Sequence, residues 1–193
     1  MPLSDSLQQI ADEILSYLGD RTAGPPYLLY VYDPETELAV RKEMRDLVAY
    51  LKTHGSDVAA VSLAELLWQA VDESGFYDQV VELERENRGD PWALEAVHET
   101  LREILVSPPS LADRVIAAVH EAPERCAVIL HRAGSLYPVF RTSALLDDLR
   151  DRLNRPVLLL YPGHVVEPYG LRFMGRCEPT HGYRAKIFQR SSL

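Results

Sequence analysis

The sequence predicts an α/β protein, with a three-layer, mostly parallel sheet of about five strands flanked by helices. Three observations predict it. The runs Tyr27–Tyr32, Val58–Val61, Cys126–Leu130 and Val157–Tyr161 are apolar throughout rather than alternating, as strands buried on both faces require. Segments of helical periodicity separate them, which implies right-handed crossovers and a sheet covered on both faces. The 193 residues contain no repeat or low-complexity tract and suit one α/β domain over residues 1–193. The expected topology is Rossmann-like or P-loop-like, without a phosphate loop.

Each element follows from local chemistry. Leu3, Leu7, Ile10, Ile14 and Leu18 recur at helical spacing and predict a helix over 4–18. Gly19 to Pro26 breaks it. The β-formers of Tyr27–Tyr32 give the first strand, which Asp33-Pro34 ends. A helix over 35–53 places Leu38, Met44, Leu47, Val48 and Leu51 on one face and stops at Gly55. After the second strand, Ser62 and Glu65 have capping-box spacing and start a helix to about Glu73. A polar helix over 76–88 comes next. Asp90-Pro91 then supplies an N-cap and a first-turn proline for a helix to about Leu105. These helices exceed what one crossover needs, so 62–105 is expected to hold a helical insertion or lid.

Pro108-Pro-Ser110 marks a turn, and Leu111, Val115 and Val119 define the next helix. The third strand is Cys126–Leu130. Thr142 or Ser143 caps a helix carrying Leu145, Leu146, Leu149 and Leu153. Val157–Tyr161 is the fourth strand, running into a turn at Pro162-Gly163. Leu171–Met174 is a fifth, and 183–190 fits strand or helix.

Net charge is −9, which disfavours non-specific binding to phosphate backbones. The charge is polarised. Residues 150–193 carry eight Arg/Lys against three Asp/Glu, a local +5, which leaves −14 for the rest. Such polarity suits docking to a partner or to an anion. No apolar run approaches the roughly 18 residues that span a bilayer, and the N-terminus reads as no signal peptide. Two cysteines, Cys126 and Cys177, are read as reduced thiols of a cytoplasmic protein.

Catalytic signatures are sparse. The loop after the first strand has no glycine or lysine and two glutamates, so ATP or dinucleotide binding is not expected. The six histidines include no H-x-x-x-H pair, although His131, His164 and His181 could meet at one sheet edge with Cys177 near them; no metal and no cofactor is expected. Ala133-Gly134-Ser135 lacks the nucleophile-elbow frame. Gly134 is read as easing a tight turn, with Ser135 bonded to its backbone. Arg132, Arg141, Arg172, Arg176 and Arg184 are the suggestive cations, because guanidinium grips carboxylate or phosphate with two bonds. Tyr27, Tyr30 and Tyr32 are expected to pack in the core or along a sheet edge. If exposed, Tyr137, Tyr161, Tyr169 and Tyr183 would instead be interface anchors. Core packing is the expectation for Trp68 and Trp92.

Three linked segments carry a resemblance. Leu130–Arg141, followed by Leu145-Leu146, resembles the G-S-[LIV]-[WYF]-P-x-x-R…L-L pattern of BrxB, a small component of BREX bacteriophage-defence systems. Arg155–Gly163 is similar to that family's strand and Y-P-G segment, and Leu171–Gly175 to its L-x-[LF]-[FM]-G segment. Gly182–Lys186 resembles its final N-Y-Y-R-A element, with His181-Gly182 departing from the usual Asn-Tyr. The resemblance covers residues 126–188. It implies a cytoplasmic adaptor without a catalytic role, partnered with other BREX proteins and in particular the alkaline-phosphatase-like PglZ.

The expected partner or anion surface comprises Arg132, Gly134, Ser135, Tyr137, Arg141, Tyr161, Pro162, Gly163, Arg172, Gly175, Arg176, Tyr183 and Arg184. Two alternatives stand beside it. One is a hydrolase or transferase acting on a phosphorylated ligand at the same edge. The other is a DNA-contacting subunit acting through the basic C-terminal third, nucleic acid being reached otherwise only indirectly. No membrane contact is expected.

Overall fold

A computed structural model describes residues 3–22, 24–86, 91–167 and 170–190. Asp90, expected as an N-cap, and Tyr169 lie outside the described residues. Six strands form one sheet in the order β2-β3-β4-β1-β6, with β5 paired to β4. These are β1 (Tyr27–Tyr32), β2 (Asp57–Ser62), β3 (Cys126–His131), β4 (Val157–Val166), β5 (Gly170–Phe173) and β6 (Lys186–Gln189). All pairings along the main path are parallel, and β5 alone runs antiparallel. The segment 183–190 therefore resolves to an edge strand.

The seven helices are α1 (Asp5–Gly19), α2 (Glu37–Thr53), α3 (Leu63–Ser74), α4 (Tyr77–Glu86), α5 (Pro91–Val106), α6 (Leu111–Ala118) and α7 (Thr142–Arg150). Two cores form, one on each sheet face. On one, Leu29, Val128, Leu130 and Leu159 meet α3, α6, α7 and the end of α5. On the other, Leu28, Tyr30, Ile129, Leu158 and Leu160 meet α1 and α2, the only helices on that face among the described residues. Coverage is therefore unequal, and Ala60 of β2 is exposed where a fully covered sheet would bury it.

Several expectations need correction. Leu38 is 78% exposed, because Val40, Met44, Leu47 and Leu51 carry the buried stripe of α2. The helical stretch 62–105 is not a separate insertion throughout. α3 is part of the core through Leu63, Leu67 and Val71, while α4 and the start of α5 project outward. Trp68 (54% exposed) and Trp92 (84% exposed) lie on the outside of this stretch, not in the core. Ser62 accepts from the Glu65 N–H at 3.3 Å, but a full capping box occurs instead at Ser110 and Asp113, which start α6. The N-cap of α7 is Arg141, and Thr142 is its buried first residue.

The largest correction concerns Pro162 and Gly163. They do not turn the chain. β4 continues through them, pairing residues 157–162 with β1 and 163–166 with β5. Proline lacks an N–H, but its carbonyl accepts the Met174 N–H at 2.8 Å. Gly163 lets two backbones approach, since a Cβ there would collide with the Arg172 carbonyl oxygen and the Tyr161 ring.

Candidate functional site

The site is built where β3 and β4 leave the sheet. At the end of β3, Arg132 adopts a left-handed conformation (φ 58°), which swings the chain into the short 3-10 turn Ala133–Leu136. The left-handed residue is thus Arg132, not Gly134. At Gly134 a Cβ would lie 3.2 Å from the Met174 sulfur, so that flexible side chain would have to move by a few tenths of an ångström. The Ser135 hydroxyl donates to the Arg132 carbonyl at 2.9 Å and is spent within its own turn. After β5, Met174 (φ 51°) and Gly175 (φ 66°) reverse the chain, with Gly175 against His164.

Aromatic rings join these segments. Phe173 lies 5.2 Å from Tyr161 and 6.3 Å from Tyr137, centroid to centroid, and Tyr183 meets Tyr161 edge-on at 5.8 Å. Such tilted pairs stabilise beyond their buried area. The Tyr183 and Thr142 hydroxyls lie 3.1 Å apart and bond each other. Tyr161 is 1% exposed, so it is a core residue and not an interface anchor. Burial first, and then its neighbour Tyr183, push its hydroxyl pKa upward.

Beside this cluster opens a cleft of about 450 Å³, walled by Pro138, Phe140, Arg141, Phe173, Cys177, His181 and Tyr183. Of the expected surface residues, Arg141 and Tyr183 line the cleft, and Tyr137 adjoins it through Phe173. The others lie elsewhere. Arg132 is exposed and pairs with Glu65 at 3.3 Å. Arg172, Arg176 and Arg184 are exposed and do not line the cleft, so the five arginines do not converge. Thr142, Phe173, Cys177 and His181 were missed as wall residues. Phe173 sits inside the Leu171–Gly175 motif, a signal that could have flagged it. Desolvation raises the Cys177 pKa despite nearby Arg141, the reverse of what an activated thiol requires.

A second crevice of about 520 Å³ lies at the carboxyl ends of β1, β4 and β6, where open α/β sheets commonly place ligands. Of the expected residues only Gly163 lines it. Its cation, Arg190, is held by Glu43 at 2.8 Å. Among the described residues, no group of three or more His, Cys, Asp or Glu could hold a metal ion. No helix among them is long and apolar enough to cross a membrane.

The comparisons point one way. Residues 59–188 match the family described as "BREX protein BrxB". A protein from Bacillus cereus (strain H3081.97), also described as "BREX protein BrxB", is 24% identical over 161 residues, covering 82% of this chain and 81% of that one. No solved structure matches. The matched region contains every wall residue of the cleft.

Proposed function

Because this chain belongs to the BrxB family of BREX phage-defence components, we propose that it is a non-catalytic, cytoplasmic adaptor of a BREX complex whose motif face binds the alkaline-phosphatase-like component PglZ. One observation carries the reading. Motif segments far apart in sequence meet in one place, and there they spend their reactive groups on one another. The Ser135 hydroxyl serves its own turn, Thr142 and Tyr183 bond each other, and burial holds the Cys177 thiol protonated. What faces outward is a cleft of mixed character, with the aromatic rings of Phe140, Phe173 and Tyr183 beside Arg141, Glu178 and His181, the combination of aromatic and arginine side chains that interface anchor sites use.

The competing hydrolase or transferase reading needs a base within hydrogen-bond reach of a free nucleophile. Turnover of a phosphoester such as p-nitrophenyl phosphate that Ser135→Ala or Cys177→Ser abolishes would favour it. The adaptor reading is tested by co-purification. A tagged chain expressed with its operon neighbours is expected to retain PglZ through two purification steps, and Arg141→Glu to release it. Wild-type chain that never retains PglZ would sink the assignment of that partner.

A further inference from the structure

The sheet face carrying α1 and α2 is unfinished. The uncovered strip falls at β2, an edge strand of the sheet. Ala60 is exposed there, and Val58 is half-buried. A groove of about 560 Å³ runs between this strip and α2, with Val48, Ala49, Ala60 and Leu160 among its walls.

Charge says what fits. Arg41, Arg45, Lys52 and Arg132 rim the groove against one carboxylate, Glu37, so the rim carries +3 in a chain of −9. Arg41 pairs with Glu37 and Arg132 with Glu65. Arg45 and Lys52 have no ion-pair partner among the described residues. His131, also on the groove, has its pKa lowered by desolvation and by Arg132, and adds no opposing charge. Arg41, Arg45 and Lys52 sit at helical spacing along one side of α2, and Arg132 stands at the end of β3.

We propose that this groove docks an acidic amphipathic helix of a partner protein, which completes the missing helical layer against β2. Its apolar stripe at i, i+3, i+4 and i+7 lies on Ala60 and Leu160, and its carboxylates face Arg45 and Lys52. This surface is separate from the cleft beside Arg141 and holds whether or not PglZ is the partner bound there.

The test is photo-crosslinking with Ala60→p-benzoyl-phenylalanine in the full chain, co-expressed with its operon neighbours, with the crosslinked residue mapped by mass spectrometry. Position 60 is exposed, so the probe does not disturb the core. The same probe at the exposed Glu121 is the control. The expected crosslink lies in a partner segment with helical apolar spacing and net negative charge. The paired substitutions Arg45→Glu and Lys52→Glu are expected to cut its yield roughly tenfold, as loss of two close charge contacts would. A crosslink to a second copy of this chain, to a basic segment or to an extended strand paired along β2 would overturn the proposal. So would a yield no higher than at Glu121. If the groove proposal fails while the adaptor reading holds, the Arg45→Glu, Lys52→Glu chain still co-purifies with PglZ.

Discussion

Gly163 and Arg132 show opposite demands on a single residue. At Gly163 the backbone has ordinary φ, but there is no room for a side chain beside the Arg172 carbonyl. Gly163→Ala is therefore expected to cost about 1–3 kcal/mol in urea unfolding, as overpacking does. At Arg132 there is room, but the left-handed φ of 58° penalises any side chain. Its ion pair with Glu65 is exposed and contributes at most about 1 kcal/mol. Arg132→Gly is expected to leave stability unchanged or raise it by about 0.5–1 kcal/mol, and a loss above that would contradict the turn geometry. The sequence marked both positions but not their reasons. A glycine after proline reads as a turn, and only the approach of β5 reveals that it is a spacer. Nothing local marks an arginine as left-handed, so the turn was credited to Gly134 two residues on.

Among the helices whose caps are described, α6 alone has a full capping box. Ser110 and Asp113 exchange bonds at its N-terminus, and Arg152 pairs with the same Asp113 carboxylate. Ser110→Ala is expected to cost about 1 kcal/mol by thermal or urea unfolding. The Arg152 and Ser110 bonds hold the Asp113 pKa down at about 2, against an ordinary 3.8. A folded pKa below the unfolded one stabilises above the unfolded value and loses that contribution as the proton returns. Stability is thus expected to fall between about pH 4 and pH 2, and Asp113→Asn to flatten that part of the profile. An unchanged slope in the variant would contradict the assignment. Helices and the parallel strands were largely legible, since periodicity and apolar runs are local signals. The extension of β4 was not, because its second half exists only by pairing with β5 across a chain reversal. The N-cap of α7 was misplaced because Thr142 faces inward to Tyr183 rather than back to its own backbone.

At the scale of the molecule, the polarity of charge closes on itself. Of the basic residues in the C-terminal third, Arg152 pairs with Asp113, Lys186 with Glu13 and Arg190 with Glu43. Arg155 donates to the carbonyls of Ala122 and Pro123, and Arg150 lies over the Tyr27 ring at 4.8 Å. The basic third is therefore mostly internal glue for an acidic body, and it leaves Arg172, Arg176 and Arg184 facing solvent. Duplex DNA binding is accordingly expected to be absent even at about 50 mM salt, where phosphate contacts are strongest, as read by fluorescence anisotropy. The motif residues were legible as a group, yet their shared role was hidden. Residues from 130 to 183 meet only because β3 and β4 are neighbours in the sheet and β5 folds back over them. On the function proposed above, the motif face holds PglZ. Size-exclusion chromatography with light scattering on the purified chain mixed with purified PglZ at micromolar concentration tests it most directly. One peak with the mass of a stoichiometric complex is expected, lost on Arg141→Glu; two separate peaks with the wild-type chain would contradict the proposed partner.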